Sequence, residues 1–346
     1  MKLSGEQIEL RDVTRRFLAE RVSPQYLRGR IEGGIRSDEA FISSLQDLGL
    51  DEGFGGDSPV FSLEELALIA HECGYALVPE PITERLVCSA VFPRYLGERE
   101  RSEYQERYAA LPSALAPSAC SSVAMDGTGG TVSGAVAWAW GAEGAGSLIT
   151  FADTPEGRRA VVVPLNQPGV GVEAATALDL TTALTRITLS SAHALVVSRE
   201  ASVALEDAVE VLKASEAAGV CERVVTMTCE YVKTREQFGR PIGAFQAIQQ
   251  KLADIHAAAE SLKSLSRFAA WASINSESQR ALTCRAAVLH ASEVAPRVCE
   301  VAIQCHGGIG FTWEYDLHLY LRRAKTIQAA FAMSERRAAE LLERTA

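Results

Sequence analysis

The residues best suited to ligand binding form a short segment after a long helical stretch. Arg235, Gln237 and Phe238 lie close together there, and Gly239-Arg240-Pro241 then breaks the helical pattern. A diphosphate requires a fixed cation with further donors nearby, and Arg235 supported by Gln237 supplies a directional pair of them. Phe238 adds an apolar surface for a flat organic ring. A plain helical hairpin with a surface arginine has the same composition, so this segment alone leaves both interpretations open.

A glycine-rich segment nearer the end of the chain is a second candidate. It reads Gln304-Cys305-His306-Gly307-Gly308-Ile309-Gly310. Paired glycines remove side chains, so the backbone can approach a bulky diphosphate and its N–H groups can form an anion-binding concavity. His306 has the chemistry of a general base, but its place beside the glycines favours a cofactor-side or packing residue. A lone G-G-x-G pattern is a weak signal without further context.

Charge and cysteine content exclude several function classes. A formal net charge of −10 disfavours a nucleic-acid partner, because Lys and Arg are not concentrated into a phosphate-neutralising surface. The eight cysteines form no close C-x-x-C pair, which favours reduced, buried thiols over a zinc site or a disulfide framework. The start of the sequence leads directly into a polar helix, and no run of about eighteen apolar residues occurs. We therefore expect a cytoplasmic protein with no membrane span and no metal site.

Three regions with different sequence patterns position the candidate residues. Residues 1–106 are predicted to form an N-terminal α-helical domain, with capping-box starts at Ser4 to Gln7 and Ser62 to Glu65 and a first helix that ends at Pro24. Residues 107–199 are predicted to form a middle β domain, because short apolar runs such as Ala160 to Val163 and the alternating Thr185 to Leu189 are separated by Gly and Pro.

Residues 200–346 are predicted to form a C-terminal helical bundle. Long helical patterns lie near 200–234, 244–274, 277–305, 316–331 and 334–345, and the two glycine-containing candidate segments mark breaks between them. Long helices joined by tight turns, with apolar residues on both sides, are typical of an antiparallel bundle that also packs against other subunits.

Both candidate segments resemble the acyl-CoA dehydrogenase family. The similarity covers nearly every position from Lys233 to Gln249 and continues, at the right distance, from Gln304 to Glu314. Further similarity extends over almost the full length. The resemblance implies an α+β multidomain chain with the fold of that family: an N-terminal α-helical domain, a middle β-barrel-like domain and a C-terminal four-helix bundle.

The resemblance also implies how FAD is held. Arg235 and Phe238 match residues that contact the FAD of the neighbouring subunit, and Phe245 and Ile248 match positions that flank the adenine portion. The glutamine and the paired glycines of the second segment match residues that hold the adenosine diphosphate arm across the dimer interface. The predicted cofactor-binding residues are Arg235, Gln237, Phe238, Phe245, Ile248, Gln304, His306, Gly307 and Gly308.

The catalytic base of the family is missing from both of its usual positions. Removing the α-proton of an acyl-CoA requires a carboxylate across the substrate from the flavin. One usual position, after the arginine-rich helix, is Phe331 here, and the other, in the first bundle helix, is Val209. Glu210 follows directly but points about 100° away around a helix. We predict no catalytic residue in this chain, with a displaced base at Glu210, Glu206 or Asp207 as the alternative.

The loop that holds the flavin ring in the family is not recognisable either. Ala110 to Ser118 stands where the family has a Thr-Glu-Pro…Ala-Gly-Ser-Asp pattern, and Ala137 to Gly141 stands where it has a tryptophan-Ile/Val-Thr string. Trp138 and Trp140 remain candidates for an aromatic wall. The missing base and the missing ring loop both indicate that this chain lacks the catalytic half of the family's active site.

A chain that keeps the part reaching into its neighbour and lacks its own ring site can complete a partner's site. The sequence from His306 to Tyr320 resembles that of the heteromeric acyl-CoA dehydrogenases of actinobacterial sterol catabolism. That resemblance implies a base-less subunit paired with a related catalytic chain, two copies of each, acting on a bulky acyl-CoA such as a steroid side-chain CoA ester, with electron-transfer flavoprotein as acceptor. The alternatives are a self-sufficient homomeric dehydrogenase with a relocated base such as Glu210, and a non-redox scaffold.

Overall fold

The computed structural model describes residues 2–34, 38–48, 61–107, 113–127 and 130–331. The predicted helix at 334–345, the glycine-rich loop from Gly53 to Pro59 and the stretch from Ala110 to Pro112 lie outside these residues.

The first region is helical, as predicted. Its helices are α1 (Gly5–Arg21), α2 (Pro24–Glu32), α3 (Glu39–Asp47), α4 (Leu63–Ala76), α5 (Ile82–Leu86) and α6 (Glu98–Arg107), with a π-helical turn at Val87–Val91 and a 3₁₀ turn at Phe92–Tyr95 between the last two. Both predicted capping boxes are present, at Ser4 with Gln7 and at Ser62 with Glu65. The role expected of Pro24 was wrong. The first helix already ends at Arg21, and Pro24 begins α2 behind a Ser23 cap, because the first helical position needs no N–H.

The middle region forms one eight-stranded sheet. Its strands are β1 (Ser113–Leu115), β2 (Ser121–Met125), β3 (Thr131–Trp140), β4 (Ser147–Thr154), β5 (Gly157–Pro164), β6 (Val170–Ala175), β7 (Leu184–His193) and β8 (Leu195–Val196). The spatial order is β6-β7-β3-β1-β4-β5-β8, with β2 paired to β3 and β4. Alternating burial from Thr185 to Leu189 reflects one solvated face of β7, whereas Ala160 to Val163 in β5 are fully buried, because that strand is covered on both faces.

The last region is a bundle of long helices. They are α7 (Arg199–Thr234), α8 (Gln246–Asn275), α9 (Glu277–His306) and α10 (Leu317–Phe331), with a short hairpin of β9 (Glu236–Gln237) and β10 (Arg240–Pro241) between α7 and α8. The α–β–α order confirms the predicted fold, while the domain boundaries stay predictions. Among the described residues, no helix is both long and apolar enough to cross a membrane.

Two glycines allow α4 of the first region to cross α7 at close range. A Cβ added at Gly74 would lie 1.9 Å from the carbonyl oxygen of Glu216, and one added at Gly219 would lie 1.8 Å from that of His71. Such distances are far below any real contact, so only glycine permits this approach. The crossing anchors the N-terminal helices on the bundle.

His71 is buried at this crossing between two carboxylates. Its Nδ1 lies 3.2 Å from Glu72 Oε1 and its Nε2 lies 3.4 Å from Glu222 Oε2. The same carboxylates accept hydrogen bonds from Arg15, at 2.6 and 2.9 Å, and Glu222 also accepts one from Lys263 at 2.7 Å. Burial alone would lower the pKa of His71, but the hydrogen bonds to Glu222 and Glu72 and their charges raise it above its ordinary value.

We predict that the free energy of unfolding falls as the pH rises beyond the ordinary histidine pKa of about 6.5. Since the folded-state pKa of His71 is raised, its contribution is fully present below the unfolded pKa and is lost as the pH rises through the folded pKa. Urea unfolding between about pH 6 and 9 measures this slope. A His71→Gln variant should show a flatter dependence, and identical slopes would mean that this histidine does not titrate on unfolding.

Candidate functional site

The hairpin after α7 presents an aromatic side chain almost entirely to solvent. Phe238 and Gly239 connect β9 to β10 with φ values of 54° and 78°. Two consecutive residues with positive φ are typical of a type I′ turn, in which Asn and Gly are the favoured residues. A phenylalanine is strained there, and its side chain is 91% exposed. Backbone strain combined with an unburied aromatic ring is typical of a residue kept for binding.

The other predicted residues of this segment surround Phe238. Phe245 stands edge-to-face to Phe238 at a ring-centroid distance of 6.1 Å, and the Arg240 guanidinium lies 4.2 Å from the centroid of Phe245. Arg235 caps the end of α7 and is exposed, with Gln237 beside it, whereas Ile248 is half-buried in the first turn of α8. The hairpin therefore offers two aromatic rings, guanidinium groups and an amide on one exposed loop.

The glycine turn at the end of α9 has a backbone that other residues do not adopt. Gly307 has φ 66° and ψ −143°, a combination found almost only at glycine. A Cβ added at Gly307 or at Gly308 would meet no atom of the described residues within 4 Å, so both glycines face space that this part of the chain leaves open. Gln304, one turn earlier, is also exposed. The turn leaves a bare, solvent-facing backbone of the kind that admits a diphosphate.

One aromatic contact brings the two predicted segments to the same end of the bundle. Tyr231, one turn before the end of α7, stacks on His306 with 4.3 Å between ring centroids. Its hydroxyl donates to the carbonyl oxygen of His306 at 3.3 Å. The ends of α7 and α9 are thereby held together, so the hairpin and the glycine turn can contact one extended ligand.

The ring of His306 faces the protein interior. Nδ1 lies 2.8 Å from the carbonyl oxygen of Ala302 and must donate to it, which leaves Nε2 to accept from the Tyr315 hydroxyl at 3.3 Å. Burial lowers the pKa of His306, which fits this neutral form. His306 is only 4% exposed. Its ring positions the glycine turn, and only its backbone is available to a cofactor.

Neither position at which the resemblance places a base holds an accessible acid. Phe331 and Val209 are 1% and 3% exposed. Glu210 lies 3.0 Å from Arg285 on α9, and Asp207 lies 2.9 Å from Arg280 on the same helix. Burial raises the pKa of Asp207 to about 6. These acids join α7 to α9.

A cluster of charged side chains occupies the junction of the three regions. We call it the junction cluster, and its members are Glu84 of α5, Asp179 between β6 and β7, Lys213 and Glu216 of α7, and Arg323 of α10. Each of these side chains is at most 7% exposed. The sequence predicts none of them as a site, although Lys213 and Glu216 interrupt an apolar stretch of α7 at a spacing that places both on one face.

The junction cluster is closed by short contacts. Glu216 accepts from Lys213 at 2.7 Å and from Arg323 at 2.8 Å, Arg323 Nε donates to Asp179 at 2.5 Å, and Lys213 also pairs with Glu84. Burial alone would raise the pKa of Glu216, but the charges of Lys213 and Arg323 and their hydrogen bonds lower it below its ordinary value.

Trp140 forms one wall of the junction cluster. The ammonium of Lys213 lies 4.8 Å from the centroid of the Trp140 ring, within the range of a cation–π contact. The space left between Trp140 and the charged side chains is only about 10 Å³. That volume accommodates about one water molecule, whereas sites for organic ligands span roughly 300–1,000 Å³. The cleft at this junction is filled by the chain itself.

Comparisons with known proteins agree with this architecture. The family model for the acyl-CoA dehydrogenase C-terminal domain matches residues 211–342. The acyl-CoA dehydrogenase FadE34 of Mycobacterium tuberculosis is 32% identical over 304 residues, which cover 86% of this chain and 40% of FadE34. This chain thus spans less than half the length of that relative.

Solved structures show the same fold. A variant of the Tcur3481-Tcur3483 steroid ACAD has 24% identity and a TM-score of 0.85, with 98% of each chain covered. The ChsE4-ChsE5 complex from Mycobacterium tuberculosis also has 24% identity and a TM-score of 0.85, with 99% of this chain and 97% of that chain covered. At this identity the likeness concerns the fold. The family match over residues 211–342 and the 32% identity with FadE34 over 86% of this chain place the chain in the acyl-CoA dehydrogenase family.

Proposed function

We propose that this chain is a subunit of a heteromeric acyl-CoA dehydrogenase and holds the adenosine and pyrophosphate half of FAD for a related catalytic chain. FAD is the cofactor of the family and, when bound, accepts the hydride removed from the acyl group. The partner supplies the base and the site of the flavin ring. The substrate is a bulky acyl-CoA, such as a steroid side-chain CoA ester, and an electron-transfer flavoprotein takes up the electrons.

The observation that carries this proposal is Phe238. Among the residues that the structure describes, this strained, 91% exposed phenylalanine at a hairpin tip has no packing role beyond the edge-to-face contact with Phe245. A flat ligand or a neighbouring subunit that covers Phe238 would bury its apolar surface and offset the cost of its strained backbone. Arg235 next to it supplies the cation that a pyrophosphate requires.

The residues at this end of the bundle fit the nucleotide half of FAD. Gly307 and Gly308 leave room where any other residue would place a Cβ. Gln304, Arg235 and Gln237 are exposed donors on the same end of the bundle. Phe245 and Ile248 are the half-buried apolar residues that would border an adenine. We expect these residues to contact the cofactor directly. The ring of His306 instead positions the backbone of the glycine turn.

The residues at the junction of the three regions do not fit the other half. Trp140 is one of the two candidates for an aromatic wall, but the Lys213 ammonium lies 4.8 Å from the centroid of its ring and covers a face that a flavin would need. The remaining volume of about 10 Å³ excludes a three-ring system. The residues that the structure describes therefore support one half of the cofactor, which favours a partner for the other half.

The comparisons support the same proposal in two ways. Both solved structures reported above bear paired names, Tcur3481-Tcur3483 and ChsE4-ChsE5, which favours a complex of unlike chains. One of them is described as a steroid ACAD, which supports the proposed substrate class. The homomeric alternative with Glu210 as a relocated base receives less support, because Glu210 forms an ion pair with Arg285 and faces α9.

The decisive measurement is flavin content. The full-length chain is to be co-expressed with candidate sister chains, and FAD per chain determined on the purified product. We expect about one FAD per two chains in the mixed complex and no tightly bound FAD on this chain alone. One FAD per chain together with desaturation of acyl-CoA by this chain alone would establish the homomeric alternative. No FAD in any combination would establish a scaffold.

We predict that Arg235→Ala weakens FAD retention by the mixed complex by about 1.5–3 kcal/mol, the usual contribution of a charge-assisted hydrogen bond. Flavin release during dilution or dialysis, followed by fluorescence, measures the effect. Arg199→Ala is the matched control, since Arg199 is an exposed arginine at the opposite end of the same helix. Equal retention in both variants would remove Arg235 from the cofactor site.

A further inference from the structure

The junction cluster connects all three regions of the chain at one point. Glu84 belongs to the N-terminal helices, Asp179 to the β region, and the remaining members to α7 and α10 of the bundle. Arg323 reaches the carbonyl oxygen of Val78 at 3.1 Å and the hydroxyl of Thr181 at 2.8 Å in addition to its carboxylate partners. Separation of any one region from the other two would break an ion pair.

The cluster also shares its helices with two positions that the resemblance assigns to a catalytic base, and it contacts a tryptophan that the resemblance assigns to the flavin site. Val209 precedes Lys213 by four residues on α7, so both project from the same side of the helix. Phe331 ends α10, the helix that carries Arg323. Trp140, the aromatic wall, contacts Lys213 directly. The side chains of the junction cluster thus leave only about 10 Å³ of space beside Trp140.

We infer that the junction cluster is an interdomain clasp that keeps this chain's own cleft shut, so that neither an acyl chain nor a flavin ring enters it. The identification of the cleft rests on the proposed function, but the clasp itself depends only on the contacts described. Opening the cleft would break the ion pairs of Lys213 with Glu84 and of Arg323 with Asp179, and a buried charge that loses its partner is strongly destabilising. The closed state is therefore the resting state of this chain.

Charge supports a clasp rather than a ligand site. The three carboxylates of the cluster meet the two cations Lys213 and Arg323, and each cation contacts two carboxylates. Both cations thus have their charge satisfied within the chain. A catalytic or CoA-binding cation would instead keep a donor directed at open space.

Hydrogen exchange on the full-length chain, with any co-purified partner retained, tests the clasp. The variant is Lys213→Met, which keeps the length of the side chain and removes its charge. We expect exchange in α5 and in residues 178–183 to become about 100-fold faster than in the wild type, while α8 and α9 stay protected. Lys263→Met is the matched control, because Lys263 pairs with Glu222 and Glu260 inside the helical part only. It should leave α5 and residues 178–183 within about twofold of the wild type.

Unchanged exchange in α5 and in residues 178–183 of folded Lys213→Met would overturn the inference. If Lys213→Met does not fold, the same peptides are compared in Glu84→Gln, which retains the shape of the side chain, and unchanged exchange there would overturn it equally. Octanoyl-CoA provides a second probe: it should not alter exchange around Trp140 of the wild-type chain. Protection of Trp140 by octanoyl-CoA, in a complex with one FAD per two chains, would refute the clasp and leave the proposed function standing. If octanoyl-CoA leaves exchange around Trp140 unchanged and no FAD is bound in any complex, the clasp stands and the proposed function is refuted.

Discussion

Replacing Arg323 with methionine should lower the free energy of unfolding by about 3–5 kcal/mol, the cost of leaving buried charges without their partner. The guanidinium donates to Asp179 at 2.5 Å, to Glu216 at 2.8 Å, to Thr181 at 2.8 Å and to the carbonyl oxygen of Val78 at 3.1 Å. Its removal leaves Glu216 facing Lys213 alone and leaves Asp179 without a cation. Methionine fills much of the volume but satisfies none of these acceptors.

The neighbouring arginine provides the control for this substitution. Arg322 lies next to Arg323 on α10, is only half-buried and donates to the carbonyl oxygen of Leu178 at 3.1 Å. Arg322→Met should change the free energy of unfolding by no more than about 0.5 kcal/mol, as is usual away from buried charges. Urea unfolding of both variants separates a buried ion cluster from a general effect of losing an arginine. Similar losses in the two variants would argue against a special role for the junction cluster.

The sequence predicted the helical and β regions because their signals are local. Capping boxes at Ser4 and Ser62, the alternation in β7 and the helical periods of α7 to α10 depend on residues a few positions apart. Pro24 shows the limit of such signals. A proline marks a helix boundary, but the same residue is compatible with the end of one helix or the first turn of the next.

The exposed half of the site was accessible to sequence reasoning because its residues are contiguous. The structure brings the hairpin and the glycine turn to one end of the bundle through Tyr231 and His306. The strain at Phe238 was not predictable, since nothing in the residue order indicates that a phenylalanine takes a turn position with positive φ. The local preference of phenylalanine for negative φ is overridden at this exposed surface, as is expected at functional sites.

The junction cluster was out of reach for a different reason. Glu84, Asp179, Lys213 and Arg323 come from four separate elements, and only the packing of all three regions makes them neighbours. A charged residue in an amphipathic helix usually lies in solvent, so a single Lys213 or Glu216 gives no hint of burial. Pairing in three dimensions is what allows these charges to be buried, and pairing of that kind leaves no periodic pattern.

The second large effect is expected at the crossing of α4 and α7. Gly219→Ala should lower the free energy of unfolding by about 3 kcal/mol, at the upper end of what an overpacked site costs. The added Cβ would lie 1.8 Å from the carbonyl oxygen of His71 and 2.7 Å from the amide nitrogen of Tyr75. Backbone atoms cannot move aside as a flexible side chain would, so the two helices must separate.

Gly29→Ala tests whether this loss comes from the crossing rather than from the loss of a glycine. Gly29 lies within α2, and a Cβ there meets no atom of the chain's described ranges within 4 Å. Alanine is the better helix former, so Gly29→Ala should raise the free energy of unfolding by up to about 1 kcal/mol. The two substitutions are chemically identical and should have opposite signs in urea unfolding. A Gly219→Ala variant as stable as the wild type would mean that α4 does not approach α7 as closely as described.

The crossing also links stability to the cofactor end of the bundle. α7 runs from Arg199 to Thr234, so one rigid helix carries Glu216 of the junction cluster, Gly219 of the crossing and, just beyond its last turn, Arg235 of the hairpin. Separation of α4 from α7 moves Gly74 away from Glu216, whose carbonyl oxygen would lie 1.9 Å from a Cβ at Gly74. Gly219→Ala should therefore speed hydrogen exchange in α5 as well as in α4. Faster exchange in α4 alone would show that the crossing and the junction cluster are independent.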